Sequence, residues 1–224
     1  MNATSKIAVI GGTGPQGRGL AFRFAKAGHA VVIGSRAADR AQESAADVRA
    51  RLHDSTEVRG ADNIAAMQGV DVVLLAVPYE GHASLVETLR PHLADKIVIS
   101  CVNPLGFDKA GPYALEVPDG SAAEEAQRLA PDASLVGAFH HLSAANLWSD
   151  VEVLDHEDVL VCGDDREAKT VVMNLARAVT GRDGVDAGPL RLARQLEPLT
   201  GVLISINKRY KVRSGIYIAG LPNR

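Results

Sequence analysis

The chain is short of cysteine, of net charge and of long apolar runs, and each shortage removes a class of function. Its two cysteines, Cys101 and Cys162, are far apart and match no metal or redox spacing, so they read as buried thiols in a reducing compartment. A net charge of −3 gives no general attraction to nucleic acid or to an anionic membrane. No apolar stretch reaches the roughly 18 residues that a membrane span needs. The longest, DVVLLAVP, has the length of a buried strand. The N-terminal MNATSKIAVIGG lacks the basic segment and apolar run of a signal peptide, so the protein is expected to be soluble and cytoplasmic. Gly-x-Ser-x-Gly and His-Glu-x-x-His are also missing, which removes the usual acyl-transfer and zinc-hydrolase equipment.

What remains is ordinary globular material: 224 residues, 46% hydrophobic and 23% charged. Over the first hundred residues, short apolar runs (KIAVIGG, AVVIGS, DVVLLAVP, KIVISCV) alternate with helical patterns. The helices are expected at Gln16–Ala27, Ala37–Leu52, Asn63–Gln68 and Gly81–Leu89. Strands that are apolar on both faces and separated by helices predict a parallel sheet covered on both sides. The rhythm breaks at 103–121, which carries three prolines and three glycines and reads as a functional loop or lid. A helix at Ala122–Leu129, the strands SLVGAF and DVLVCGDD, a helix at Glu167–Val179, a long helix at Leu190–Asn207 and a β-like tail, GIYIAG, complete the chain. The fold class is α/β: a Rossmann-type, doubly wound parallel sheet with a smaller C-terminal α/β extension. The expected division is 1–139 and 140–224.

The segment VIGGTGPQG holds Gly12-x-Gly14-x-x-Gly17 between a strand and a helix. Gly12 suits a tight turn, Gly14 lets a pyrophosphate approach the backbone, and Gly17 lets the helix pack close to the strand. The helix N-terminus offers N–H groups to phosphate, so a dinucleotide is expected here. Its identity is read at the end of the second strand. An acid there would bond the ribose 2′-hydroxyl of NAD, but this chain has Ser35 and Arg36, with Arg40 one helical turn on. A guanidinium and a hydroxyl suit a 2′-phosphate, and Thr13 can reach the same pocket, so NADP is expected over NAD. The other reading of Arg36 and Arg40 is solvated surface charge.

The stretch IAVIGGTGPQGRGLAFRFAKAGHAVVIGSR resembles the opening of the NADPH-dependent reductases of the deazaflavin coenzyme F420. AFHHLSA, VCGDDREAKTVV, DAGPLRLARQLEPLT and NKRYKVRSGIYIAGL extend the resemblance over nearly the whole chain. It implies hydride transfer between nicotinamide C4 and deazaflavin C5 in a homodimer, with NADP(H) and coenzyme F420 as the small-molecule partners. By the same resemblance Thr13, Ser35, Arg36 and Arg40 match a 2′-phosphate pocket, and Gly14, Pro15 and Gln16 a pyrophosphate loop. Val77 and Pro78 match a strand end running along the cofactor. Asn103, Pro104, His140, His141, Ser143 and Ala144 match segments lining the cleft where the rings meet. The archaeal pattern has a less polar residue at the position of His141. The histidine pair lines the cleft or belongs to the core. The cations of NKRYKVR bind an anionic coenzyme, neutralise a helix end or serve a dimer contact. Two other functions stay open: an NADP-dependent dehydrogenase of a small hydroxy or imino acid, with Lys169 as its central lysine on an apparently exposed helix face, and a non-enzymatic NADP sensor.

Overall fold

A computed structural model describes residues 4–52 and 57–221. The outer ends of the expected division, residues 1–3 and 222–224, lie outside the described residues. The chain order is β1 (Lys6–Ile10), α1 (Pro15–Lys26), β2 (Ala30–Ser35), α2 (Ala38–Arg51), β3 (Val58–Asp62), α3 (Asn63–Ala66), β4 (Val72–Leu75), α4 (His82–Leu93) and β5 (Ile97–Ser100). Then come β6 (Leu105–Asp108), β7 (Gly111–Ala114), α5 (Ala122–Leu129), β8 (Ser134–Gly137) and α6 (Ala144–Leu147). The last elements are β9 (Leu160–Gly163), α7 (Arg166–Leu175), α8 (Arg177–Thr180), β10 (Val185–Gly188) and α9 (Ala193–Tyr210).

Eight strands form one sheet in the order β10-β9-β8-β5-β4-β1-β2-β3. Successive side chains of a strand point to opposite faces, and here both faces are covered. Ile7, Val9, Val72 and Leu74 join one core with Leu20 and Phe24 of α1 and Val172 of α7. Ala8, Ile10, Val73 and Leu75 join the other core with Val86 of α4, Ala126 of α5 and Leu196 of α9. Double-sided burial is why these strands read as unbroken apolar runs.

The expectation of a wholly parallel sheet needs one correction. β8 and β9 are antiparallel, and β10 runs parallel to β9. An antiparallel neighbour starts at the edge where its predecessor ended, so β8 and β9 need no crossover between them and the residues just after β8 lie at the carboxyl edge of the main strands. That edge is where α/β sheets bind ligands. The sheet also runs without a break from β8 to β9, across the expected division at 139/140.

Three further expectations change. The 103–121 segment contains a β6–β7 hairpin separate from the main sheet. The helix expected over Glu167–Val179 is divided into α7 and α8 at Ala176. The GIYIAG tail forms no strand; it is held by Asp158, whose N–H donates to the Ile216 carbonyl (2.6 Å) and whose Oδ2 accepts from the Ile218 N–H (2.7 Å). Alternating Ile216 and Ile218 still pack on the core, which is the signal that resembled a strand.

Candidate functional site

The glycine segment folds as strand, turn and helix. The left-handed turn, expected at Gly12, is made by Gly11, with φ +80°. A Cβ there would lie 2.4 Å from the Ala76 carbonyl oxygen, so only glycine passes beneath the end of β4. A Cβ on Gly17 would stand 2.7 Å from the Gly11 oxygen, and α1 packs that close to the turn. Gly14 differs, because the nearest protein atom to such a Cβ is 3.4 Å away and its free side faces a cleft. No side chain caps α1 and no acid occupies its first turn, which leaves its N-terminal N–H groups and dipole to an anion. Ser44 of α2 braces the turn by donating to the Gly12 carbonyl at 3.1 Å.

Ile10 pairs with Gly34, so Ser35, the last residue of β2 and still paired with Asp62 of β3, and Arg36 just beyond it lie beside this turn. Ser35 is buried and its Oγ accepts from the Ala37 N–H at 3.3 Å, which leaves the hydroxyl proton to donate. Arg36 and Arg40 are exposed, and neither enters an ion pair among the described residues. Thr13 is half-buried in the turn itself.

The cleft has a volume of about 580 Å³. Gly14, Pro15 and Gln16 form one wall, and Ala76, Val77, Pro78, Cys101 and Asn103 run along it from the ends of β4 and β5. His140, His141, Leu142, Ser143, Ala144 and Ala145 form the wall after β8. Thr200, Leu203, Ile204 and Asn207 of α9, with Ser214, complete it. Strands are about 4.8 Å apart, so the turn after β1 and the histidines after β8 are separated by three strand spacings, about 14 Å. Of the expected residues, Gly12 and Thr13 belong to the turn and Gly17 to the buried side of α1, so none of the three is in the wall. Ser35, Arg36 and Arg40 stand at the end of β2. Pro104 is buried away from the cleft, and its carbonyl accepts from the Leu115 N–H (2.9 Å) at the base of the hairpin.

The histidine wall is fixed by side chains remote in sequence. Phe139 adopts φ +64°, an unusual conformation for a bulky residue, with its ring fully buried edge-on to Phe24. Its carbonyl accepts from Gln16 Nε2 at 3.1 Å. The His140 carbonyl accepts from Asn103 Nδ2 (2.9 Å) and Thr200 Oγ1 (3.0 Å). The His140 ring is buried and neither ring nitrogen has a partner. Burial, then the neighbouring His141, pushes its pKa down to about 3, so the ring is neutral near pH 7. It can exchange hydrogen bonds with a ligand but does not carry a proton to give away. His141 donates Nε2–H to the Asp158 carbonyl at 2.6 Å, which fixes its tautomer; burial also lowers its pKa. The Cys101 thiol, pushed up to about 12 by burial, is protonated and donates to the Leu75 carbonyl at 3.3 Å.

Lys169 takes no part. The expected exposed position is corrected to a partly buried one, where its ammonium pairs with Asp186 at 2.8 Å. That leaves the hydroxyacid-dehydrogenase reading without its lysine.

Sequence reasoning missed Gly11, Asp158 and the contribution of α9. A signal for α9 was present: Leu196, Thr200, Leu203 and Asn207 recur at helical spacing, a mixed stripe in place of a purely apolar one. It missed Arg23 as well. This arginine is fully buried in α1 and donates to the carbonyls of Asn146, Leu147, Ser149, Val151 and Glu152 at 2.7–3.3 Å. It thereby ties the helix behind the glycine turn to the chain that follows the histidine wall.

Comparison with known proteins shows the family. Residues 6–104 match the family model described as NADP oxidoreductase, coenzyme F420-dependent. An F420-dependent NADP reductase of Methanocaldococcus jannaschii is 39% identical, covering 96% of this chain and 99% of its own. One from Methanothermobacter thermautotrophicus is also 39% identical, covering 98% and 97%. A crystal structure from Arthrobacter sp. FB24, provisionally named an F420-dependent NADP reductase, superimposes with a TM-score of 0.81 at 29% identity, covering 96% of this chain and 99% of that one. The chain belongs to the family of F420-dependent NADP reductases.

Proposed function

We propose that the protein is an oxidoreductase that moves a hydride between NADP(H) and the deazaflavin coenzyme F420. The observation that carries this reading is the cleft, bounded by an uncapped helix N-terminus on one side and by a neutral, preoriented histidine wall on the other. The α1 N-terminus and Gly14 receive the pyrophosphate. Ser35, Arg36 and Arg40, with Thr13, receive the 2′-phosphate; neither guanidinium has an ion-pair partner among the described residues, which supports this reading. Val77 and Pro78 run along the nicotinamide side. His140, His141, Ser143 and Ala144 wall the deazaflavin side, with Asn103 holding the wall in place.

When bound, the two cofactors supply hydride donor and acceptor between them, and the chain supplies no covalent chemistry. Its contribution is to hold two rings together and keep water from the transfer. The proton that accompanies the hydride exchanges with solvent, because His140 is neutral and His141 has its Nε2–H committed to Asp158. Residues 1–139 carry the NADP side; residues 140–224 carry the deazaflavin side and the contacts of a homodimer. Exposed apolar residues at Phe107, Tyr113 and Val202 support association of two copies. No described helix is long and apolar enough to cross a membrane, and the proposed compartment is the cytoplasm.

Mixing the protein with NADPH and coenzyme F420 and following deazaflavin absorbance tests the reading, with NADH for comparison. Loss of absorbance with NADPH supports it. NADPH binding without turnover would return the protein to the sensor reading. Light scattering of the purified protein tests the dimer.

A further inference from the structure

Lys208, Arg209, Lys211 and Arg213 crowd the last turn of α9 and the turn after it. All four are exposed, and none forms an ion pair among the described residues. Only Arg213 has a polar contact, a long one from Nη1 to Asn146 Oδ1 at 3.5 Å. At the other end of the same helix Arg194 is committed to Glu124 at 2.7 Å. A helix C-terminus favours cations in its last turn, which accounts for Lys208 and Arg209. The effect fades within that turn and does not account for Lys211 and Arg213, which lie beyond it.

The geometry of the turn relates these cations to the cleft. Lys211 takes φ +54° and reverses the chain, and the Ser214 N–H donates to Asn207 Oδ1 at 2.6 Å. Asn207 and Ser214 both line the cleft, so the cations sit on a closed loop whose two feet are in its wall. Ser214 Oγ is buried there without a hydrogen-bond partner. The loop belongs to the α9 side, with Thr200 and the histidine wall. The charges assigned to NADP lie at β1 and β2 instead.

We propose that the Asn207–Ser214 loop is the subsite for the anionic tail of the deazaflavin coenzyme, its phosphate and glutamate carboxylates. This rests on the reading of the cleft as the deazaflavin ring site. A chain with net charge −3 must concentrate positive charge locally to receive a polyanion, and this loop does so at the cleft wall. Ser214 Oγ is available to the hydroxylated linker between ring and phosphate.

The test is calorimetric titration of the full-length protein with two oxidised ligands: coenzyme F420, and the same deazaflavin ending at its ribityl alcohol, without phosphate or glutamate. At low ionic strength the wild type should bind the tailed ligand about tenfold more tightly, and the gap should narrow with salt. K208Q/R209Q/K211Q/R213Q should close the gap. K211Q/R213Q, which keeps the two cations that the helix end explains, should reduce it about threefold. NADPH titration of each variant reports whether its nucleotide half is intact. A wild type without the gap, or variants that keep it, would overturn the subsite while leaving the ring site standing. Failure of the wild type to bind either deazaflavin, with NADPH bound or not, would remove the ring site and the subsite together.

Discussion

Just beyond β2, Arg36 and Arg40 stand in solvent with no ion-pair partner among the described residues, whereas after β8 the backbone around the two histidines is held from several sides. Gln16, Asn103 and Thr200 donate to the carbonyls of Phe139 and His140, and His141 donates to that of Asp158. The first region, in the proposed reading, takes its order from a charged ligand. The second is ordered before any ligand arrives. A phosphate carries enough charge to organise two flexible guanidiniums, because charge-assisted bonds are strong. A hydride transfer between two rings tolerates little error in distance, and a preformed wall suits the role proposed for it.

The comparison can be broken first at its common support. Arg23 joins α1 to the chain after the histidine wall, and Arg23→Met takes the buried guanidinium away from five backbone carbonyls, of which that of Asn146 keeps the Ser149 N–H and hydroxyl as donors. The variant should lose about 3–5 kcal/mol of stability in denaturant unfolding, which is the scale for stripping a buried charged partner. A loss under 1 kcal/mol would mean that water reaches those carbonyls. The solvent-facing region is tested by Ser35→Asp with Arg36→Ala. NADPH affinity should fall about 100-fold and NADH affinity hardly at all, as expected for a lost charge-assisted contact plus a repelling carboxylate. Equal losses would show that the end of β2 does not read the 2′-phosphate.

The preformed region is tested more gently. Thr200→Val removes one of two donors to the His140 carbonyl at nearly constant volume. The turnover rate should drop about tenfold while NADPH affinity holds, the scale of one hydrogen bond. A change in NADPH affinity alone would assign Thr200 to the nucleotide.

The smallest effect concerns pH. His140 has a folded pKa near 3, depressed from 6.5, so its contribution to stability is present above pH 6.5 and lost as pH falls towards 3. Glu197, buried and accepting the Ala122 and Ala123 N–H groups, has its pKa pushed up to about 8 from 4.5 by burial. Its contribution is present below pH 4.5 and lost as pH rises through 8. The two slopes oppose each other between pH 4.5 and 6.5 and give a plateau. His140→Gln should uncover the Glu197 slope, with stability falling across that whole interval in a pH series of thermal melts. A retained plateau would show that His140 is not the group responsible.

The strand–turn–helix of the nucleotide half was legible because all its constraints lie within about thirty consecutive residues. Gly17 packs where its spacing predicts, and Ser35 and Arg36 stand at the expected strand end. Even here the left-handed residue of the turn is Gly11, next to the expected Gly12, since what forbids a side chain at Gly11 is the Ala76 carbonyl, remote in sequence. The second half was legible mainly through resemblance. Its apolar alternation suggested a strand at GIYIAG, but the backbone partner of that segment is Asp158, and no local pattern announces such a pairing.

The sequence by itself determined the alternation of strands and helices, the glycine turn and the cationic end of β2, because each follows from neighbours along the chain. Only the tertiary structure decided the reversal of β9, the tautomer of His141, the isolation of the His140 ring and the anchoring by Arg23 of the chain that follows the wall. Each of these depends on hydrogen bonds or burial between residues brought together by packing, and their partners are set by the sheet order rather than by any spacing in the chain.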